Sequence, residues 1–157
     1  MVLKWKPLAL SLLIALGTGG LSALLTMNSM REVYAGLNQP PLSPPAWVFS
    51  VVWTILFILM AVSAYLVYTS DANQERKRNA LIVYGVQLLF NFLWSIFFFD
   101  KQWYWFSFAW LIVLWFLILT MILLFSNISR TAALLQIPYL LWVAFAGYLT
   151  VGVALLN

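Results

Sequence analysis

The chain has 157 residues, 65% hydrophobic, 18% aromatic and 8% charged, with eight basic against four acidic residues and neither Cys nor His. A soluble domain carries about 25% charged residues, so the composition excludes one. Without Cys and His there is no disulfide, no thiolate nucleophile, no bis-His haem, no zinc enzyme and no Ser-His hydrolase, and no metal site is expected.

Five apolar stretches free of Asp, Glu, Lys and Arg run over residues 8–27, 46–69, 81–99, 103–125 and 132–156. About 20 helical residues at 1.5 Å each cross the roughly 30 Å hydrocarbon core, and each stretch reaches that length. Runs such as 111–125 do not alternate, which excludes barrel strands. The expected fold is an all-α membrane protein, one five-transmembrane-helix bundle spanning residues 1–157. Ionisable residues inside a membrane mark ion paths, proton relays and voltage sensors. Their absence from the spans excludes those functions and leaves rings, amides, hydroxyls and shape.

In the first stretch Lys4 and Lys6 precede the apolar run, and Gly17, Gly19 and Gly20 mimic a signal cleavage site. The apolar pattern continues past them through Leu24 and Leu25, so a retained first helix is expected. Ser11, Ala15, Gly19 and Ala23 recur at four-residue steps, a close-packing face for another helix within the chain or across a dimer.

Residues 28–45 form the longest connection, NSMREVYAGLNQPPLSPP, with four prolines in its last six residues. Proline fixes φ and removes a donor, so the segment is expected to be non-helical and stiff. It reads either as a rigid turn into the second helix or as a lid over the bundle mouth. Beyond it, Phe49, Trp53 and Phe57 share one face of the second helix, and Trp47 sits where an interfacial aromatic belt belongs.

The 70–80 connection carries Arg76, Lys77 and Arg78, three charges that make a topology anchor and no nucleic-acid surface. In the third helix Gln87, Asn91 and Ser95 recur at four-residue steps, with Trp94 beside them. Uncharged polar groups avoid lipid, so this stripe should face the interior, as hydrogen-bonding glue between helices or as ligand contacts. Trp103, Trp105 and Trp110 of the fourth helix read as belt and packing residues. In the fifth, Pro138 is expected to bend the span at mid-length, and Pro138, Trp142 and Ala146 share a face. Ala146 would leave a gap beside the Trp142 ring.

Six basic residues (Lys4, Lys6, Arg76, Lys77, Arg78, Arg130) fall on one side of this topology and two (Arg31, Lys101) on the other. The positive-inside rule then puts the N-terminus in the cytoplasm.

The segments VYAGLNQPPLSPPAWVF, QLLFNFLWSIFF and PYLLWVAFAGYL, in this order, resemble the translocator-protein (TspO/MBR) family of tryptophan-rich sensory proteins and peripheral-type benzodiazepine receptors. The likeness runs from about Tyr34 to Ala154. It implies a bacterial member in the cell membrane, usually a homodimer, whose pocket is closed by the first loop. It also implies a porphyrin or another flat hydrophobic molecule as ligand, with no cofactor required and the lipid bilayer as surroundings. Carried over by position, Tyr34 and Pro44 would contact the ligand from the loop. Phe49, Trp53 and Phe57 would line the pocket from the second helix, Asn91 and Trp94 from the third, and Trp142 and Ala146 from the fifth. Two positions where the family often has Trp hold Val33 and Leu42 here, which implies weaker loop contacts. Tyr148 is followed by no basic residue, so the family's sterol-recognition pattern is incomplete. The expected function is membrane binding of porphyrins for sensing, sequestration or transport. The alternative is light-dependent oxidative degradation of protoporphyrin using Trp53 and Trp142.

Overall fold

The structure, a computed structural model, describes residues 2–157. Among them five helical spans are long and apolar enough to cross a membrane, and there is no strand. They are α1 (Trp5–Gly36), α2 (Ala46–Tyr68), α3 (Gln74–Ser95), α4 (Tyr104–Ser126) and a fifth span in two pieces, α5 (Arg130–Leu135) and α6 (Ile137–Leu156). A π-helical turn, Ile96–Asp100, continues α3. The chain is thus an all-helical, multi-pass membrane bundle.

Three boundaries differ from the sequence expectation. Helix α1 does not stop at residue 27 but runs on to Gly36, so the first half of the 28–45 connection is helical and only residues 37–45 are loop. At 1.5 Å per residue its 32 residues extend about 48 Å, well beyond the roughly 30 Å apolar core. Polarity there marks departure from lipid, and nothing in MREVYA breaks a helix. Likewise α3 begins at Gln74, so Arg76, Lys77 and Arg78 lie in its first turns. Asn73 caps it, accepting the Glu75 N–H at 2.7 Å. In the fifth span Pro138 does not bend a continuous helix. The helix breaks at Gln136, and Pro138 occupies the first turn of α6, where its missing N–H is no loss.

The spans close a ring in which α1 lies between α2 and α3, and α4 packs against α3, α5 and α6. With lipid outside, burial alone does not select helix partners, and close approach and hydrogen bonds do. Three members of the small-residue stripe of α1, Ser11, Ala15 and Gly19, pack within the chain, and the fourth, Ala23, is exposed. Ala15 is fully buried, and Ser11 Oγ donates to the Ala61 carbonyl at 2.6 Å. Gly19 lies so near Phe57 that a Cβ there would stand 2.5 Å from the ring. Ser63 Oγ ties α2 to α5 through the Ala132 carbonyl at 2.7 Å. Trp110 stacks on Phe90 at 4.2 Å and donates its indole N–H to the Phe90 carbonyl, joining α4 to α3. Trp103, Trp105 and Trp47 are instead exposed, as belt residues are.

Candidate functional site

A cavity of about 330 Å³ opens in the half of the bundle that holds the 37–45 loop and the C-terminus. Helices α1, α2, α3 with its π-turn, and α6 wall it, and α4 contributes none of the lining residues. Eight of the nine residues singled out from sequence line it: Tyr34, Phe49, Trp53, Phe57, Asn91, Trp94, Trp142 and Ala146. Pro44 does not. Its carbonyl, free of any helix ladder, accepts the Tyr34 hydroxyl, while Ser43 and Ala46 on either side reach the cavity.

Helical spacing brings the rings together. Phe49, Trp53 and Phe57 descend one face of α2, and each meets an aromatic from another turn or helix. Phe49 packs edge-on to Tyr34 at 5.7 Å and to Trp142 at 5.8 Å. Trp53 lies 5.7 Å from Phe57 and 6.2 Å from Tyr139, the latter edge-on. Opposite, Trp94 stacks on Phe98 at 5.2 Å. The π-turn places this pair: its wider ring, closed by Lys101 N–H to the Ile96 carbonyl at 3.1 Å, brings Phe98 and Phe99 to the wall. Such rings present flat faces and polarised edges to a ligand and need no ionised group.

Among the described residues, no Asp, Glu, Lys or Arg lines the cavity. Most hydroxyls there are committed to backbone: Thr26 to the Ser22 carbonyl, Thr54 to Ser50, Thr150 to Ala146 and Ser43 to Pro40. Ser22, Ser50 and Ser95 also line it and show no such bond among the described residues, and of the two lining amides, Gln39 and Asn91, Asn91 is the buried one. Its Nδ2 donates to the Tyr139 hydroxyl at 2.7 Å, joining α3 to α6, and its Oδ1 is left at the cavity wall. The two readings of Asn91, glue and lining, therefore both describe it. Gln87 takes the Tyr139 hydrogen at 2.7 Å and is fully buried; Ser95 lines the cavity.

The 37–45 loop is fastened to the end of α6. Asn157 Oδ1 accepts the Asn38 N–H at 3.2 Å and Asn157 Nδ2 donates to the Asn38 carbonyl at 2.9 Å. Tyr148 donates to the Pro41 carbonyl at 2.7 Å, and the Pro40 ring seats on Gly152. Leu42 sits at the turn with φ 69° and is 83% exposed, so it contributes nothing to the wall. Val33 is not among the lining residues either, which leaves Tyr34, Leu37, Gln39 and Ser43 as the contacts from this end.

The cavity has a side opening. Leu16, Gly20 and Ala23 of α1 and Ser50 and Thr54 of α2 line it and are also exposed, so the gap between these helices reaches the outer surface of the bundle.

Sequence reading missed Tyr139, the bridge between Gln87 and Asn91. A signal was present: a Tyr on the buried face of an apolar helix needs a partner for its hydroxyl. It also missed Leu149, Thr150 and Val153, which continue the Trp142–Ala146 face along α6 into the lining.

A model of the TspO/MBR family matches residues 9–156. The chain belongs to the TspO/MBR family. Among its relatives is the tryptophan-rich protein TspO of Chlorobaculum tepidum, 33% identical over 150 residues, which cover 96% of this chain and 95% of that one. The tryptophan-rich sensory protein of Cereibacter sphaeroides is 36% identical over 115 residues, 73% of this chain and 70% of its own. The translocator protein of Bos taurus is 30% identical over 147 residues, 92% of this chain and 86% of its own. The TspO/MBR match spans all five helices and so includes the whole wall of the cavity.

Proposed function

We propose that this protein binds flat hydrophobic tetrapyrroles of the porphyrin class inside the membrane, for sensing, sequestration or transport. The observation that carries the reading is the cavity wall, in which aromatic rings from α1, α2, α3 and α6 meet around a space lined, among the described residues, by no acidic or basic side chain. A volume of about 330 Å³ falls in the range of small-molecule sites. Burying such a ring contributes roughly 25 cal/mol per Å² before ordering costs. The 37–45 loop, fastened to α6, is the lid of this site. The six-to-two distribution of basic residues supports a cytoplasmic N-terminus in a bacterial cell membrane, with the lid outside.

The test is titration of detergent-solubilised protein with protoporphyrin while tryptophan fluorescence is followed. Saturable quenching is expected, reduced by Trp53→Ala or Trp142→Ala. Quenching that rises linearly without saturation would show partition into the micelle and defeat the reading.

A second reading rests on Trp53 and Trp142 both lining the cavity. In it, porphyrin excited by light is oxidised by dioxygen. Porphyrin gives up the electrons and dioxygen takes them, and the two indoles relay them, each losing an electron toward dioxygen and regaining one from porphyrin.

A further inference from the structure

Asn91, Tyr139 and Gln87 form a hydrogen-bond chain with one end at the cavity and the other unfinished in the core. The Tyr139 hydroxyl accepts from Asn91 Nδ2 and donates to Gln87 Oε1, both at 2.7 Å. Tyr139 is 1% exposed and Gln87 fully buried, and Gln87 Nε2 has no partner among the described residues. A hydroxyl both donates and accepts, and a primary amide carries one group of each kind. The same three positions therefore accommodate the chain run backwards, with Gln87 Nε2 donating to Tyr139 and Tyr139 donating to Asn91 Oδ1. Each direction makes two bonds and leaves one Gln87 atom without a partner, so neither has a bond more than the other.

The directions differ at the cavity. As observed, Asn91 offers Oδ1, an acceptor; reversed, it offers Nδ2–H, a donor. Thr26, Ser43, Thr54 and Thr150 have no such freedom, because their hydroxyl hydrogens are held by backbone carbonyls. The indole nitrogens of Trp94 and Trp142 are donors only, and both are buried.

We propose that this chain is a reversible polarity selector for the site. It lets Asn91 meet either an acceptor (carbonyl, carboxylate) or a donor (pyrrole-type N–H) on a flat apolar ligand. Gln87, which is not part of the cavity lining, is the specificity-determining positioning residue that keeps both directions open. The proposal rests on the cavity being a ligand site.

Gln87→Leu removes both amide groups and leaves Tyr139 no acceptor but Asn91 Oδ1, which locks Asn91 Nδ2–H toward the cavity. The probes are 9-fluorenone, a tricycle with a carbonyl acceptor, and carbazole, a tricycle of like shape with an N–H donor. Native protein should bind both. Gln87→Leu should raise the fluorenone-to-carbazole affinity ratio about tenfold, mainly by losing carbazole. Gln87→Met, unbranched and of similar volume, should shift the ratio the same way and covers a folding failure of the first variant. An unchanged ratio, whether affinities stay native or fall equally for both probes, would overturn the selector and leave Gln87 a packing residue. Failure of the native protein to bind either probe would overturn the ligand site itself, a separate result.

Discussion

A Cβ at position 152 would stand 2.5 Å from the ring of Pro40, closer than real contacts allow. Gly152 and Pro40 are thus fitted to each other: the helix gives up its side chain where the loop presses its ring. Neither partner yields easily, because one is helix backbone and the other a rigid ring. Gly152→Ala should displace the loop and, as overpacking does, cost about 1–3 kcal/mol. With the lid reading, ligand dissociation should also accelerate. A thermal melt and a stopped-flow chase on one preparation check both, and unchanged dissociation would show that the loop does not govern release.

Tyr139→Phe removes the bridge and leaves amide groups on both Gln87 and Asn91 without partners. Unpaired buried polar groups cost roughly 1–3 kcal/mol each, so this variant should be distinctly less stable. Asn91→Leu should cost less, about 0.6–2 kcal/mol, because Tyr139 keeps Gln87 as its acceptor. Chemical unfolding in mixed micelles orders the two, and the reverse order would place the structural weight of the chain on Asn91.

The spans were legible because length and the absence of charge suffice to mark them. The cavity wall was legible because Phe49, Trp53 and Phe57, or Trp142 and Ala146, fall at helical spacing. Helix ends were not. A polarity change marks where lipid stops, and α1 continues nine residues beyond it, since Asn28 and Arg31 sit comfortably in a solvated helix. The Tyr139 bridge was hidden for another reason. Its partners lie 48 and 52 residues away, and no local period records a meeting between helices. The Pro44 carbonyl's bond to Tyr34 was not legible because a proline-rich run looks uniform in sequence, whereas that bond fixes which of its carbonyls points where.

Orientation is open to a direct test, because the chain contains no Cys. Single Cys substitutions at Leu42 and at Asp71, both exposed and at opposite ends of α2, report the two sides. An impermeant maleimide applied to intact cells should label Leu42→Cys and spare Asp71→Cys. The opposite pattern would reverse the topology.

If light-driven oxidation accompanies binding, Trp53→Phe and Trp142→Phe should slow porphyrin loss more than they weaken affinity. Phenylalanine keeps a ring at the wall and removes the readily oxidised indole. Mass analysis after matched light and dark incubations reads the rate, and fluorescence titration reads the affinity. Equal losses in both would assign the indoles to shape alone.

The opening between α1 and α2 changes the meaning of concentration for this protein. On the proposed ligand-site reading, a window in the flank would exchange ligand with the hydrocarbon around it, so occupancy would follow the ligand's mole fraction in lipid and not its amount in water. Apolar ring compounds gather in lipid far above their aqueous level. A modest intrinsic affinity then suffices for a filled site, and dilution with empty vesicles empties it even when total ligand and protein are held constant.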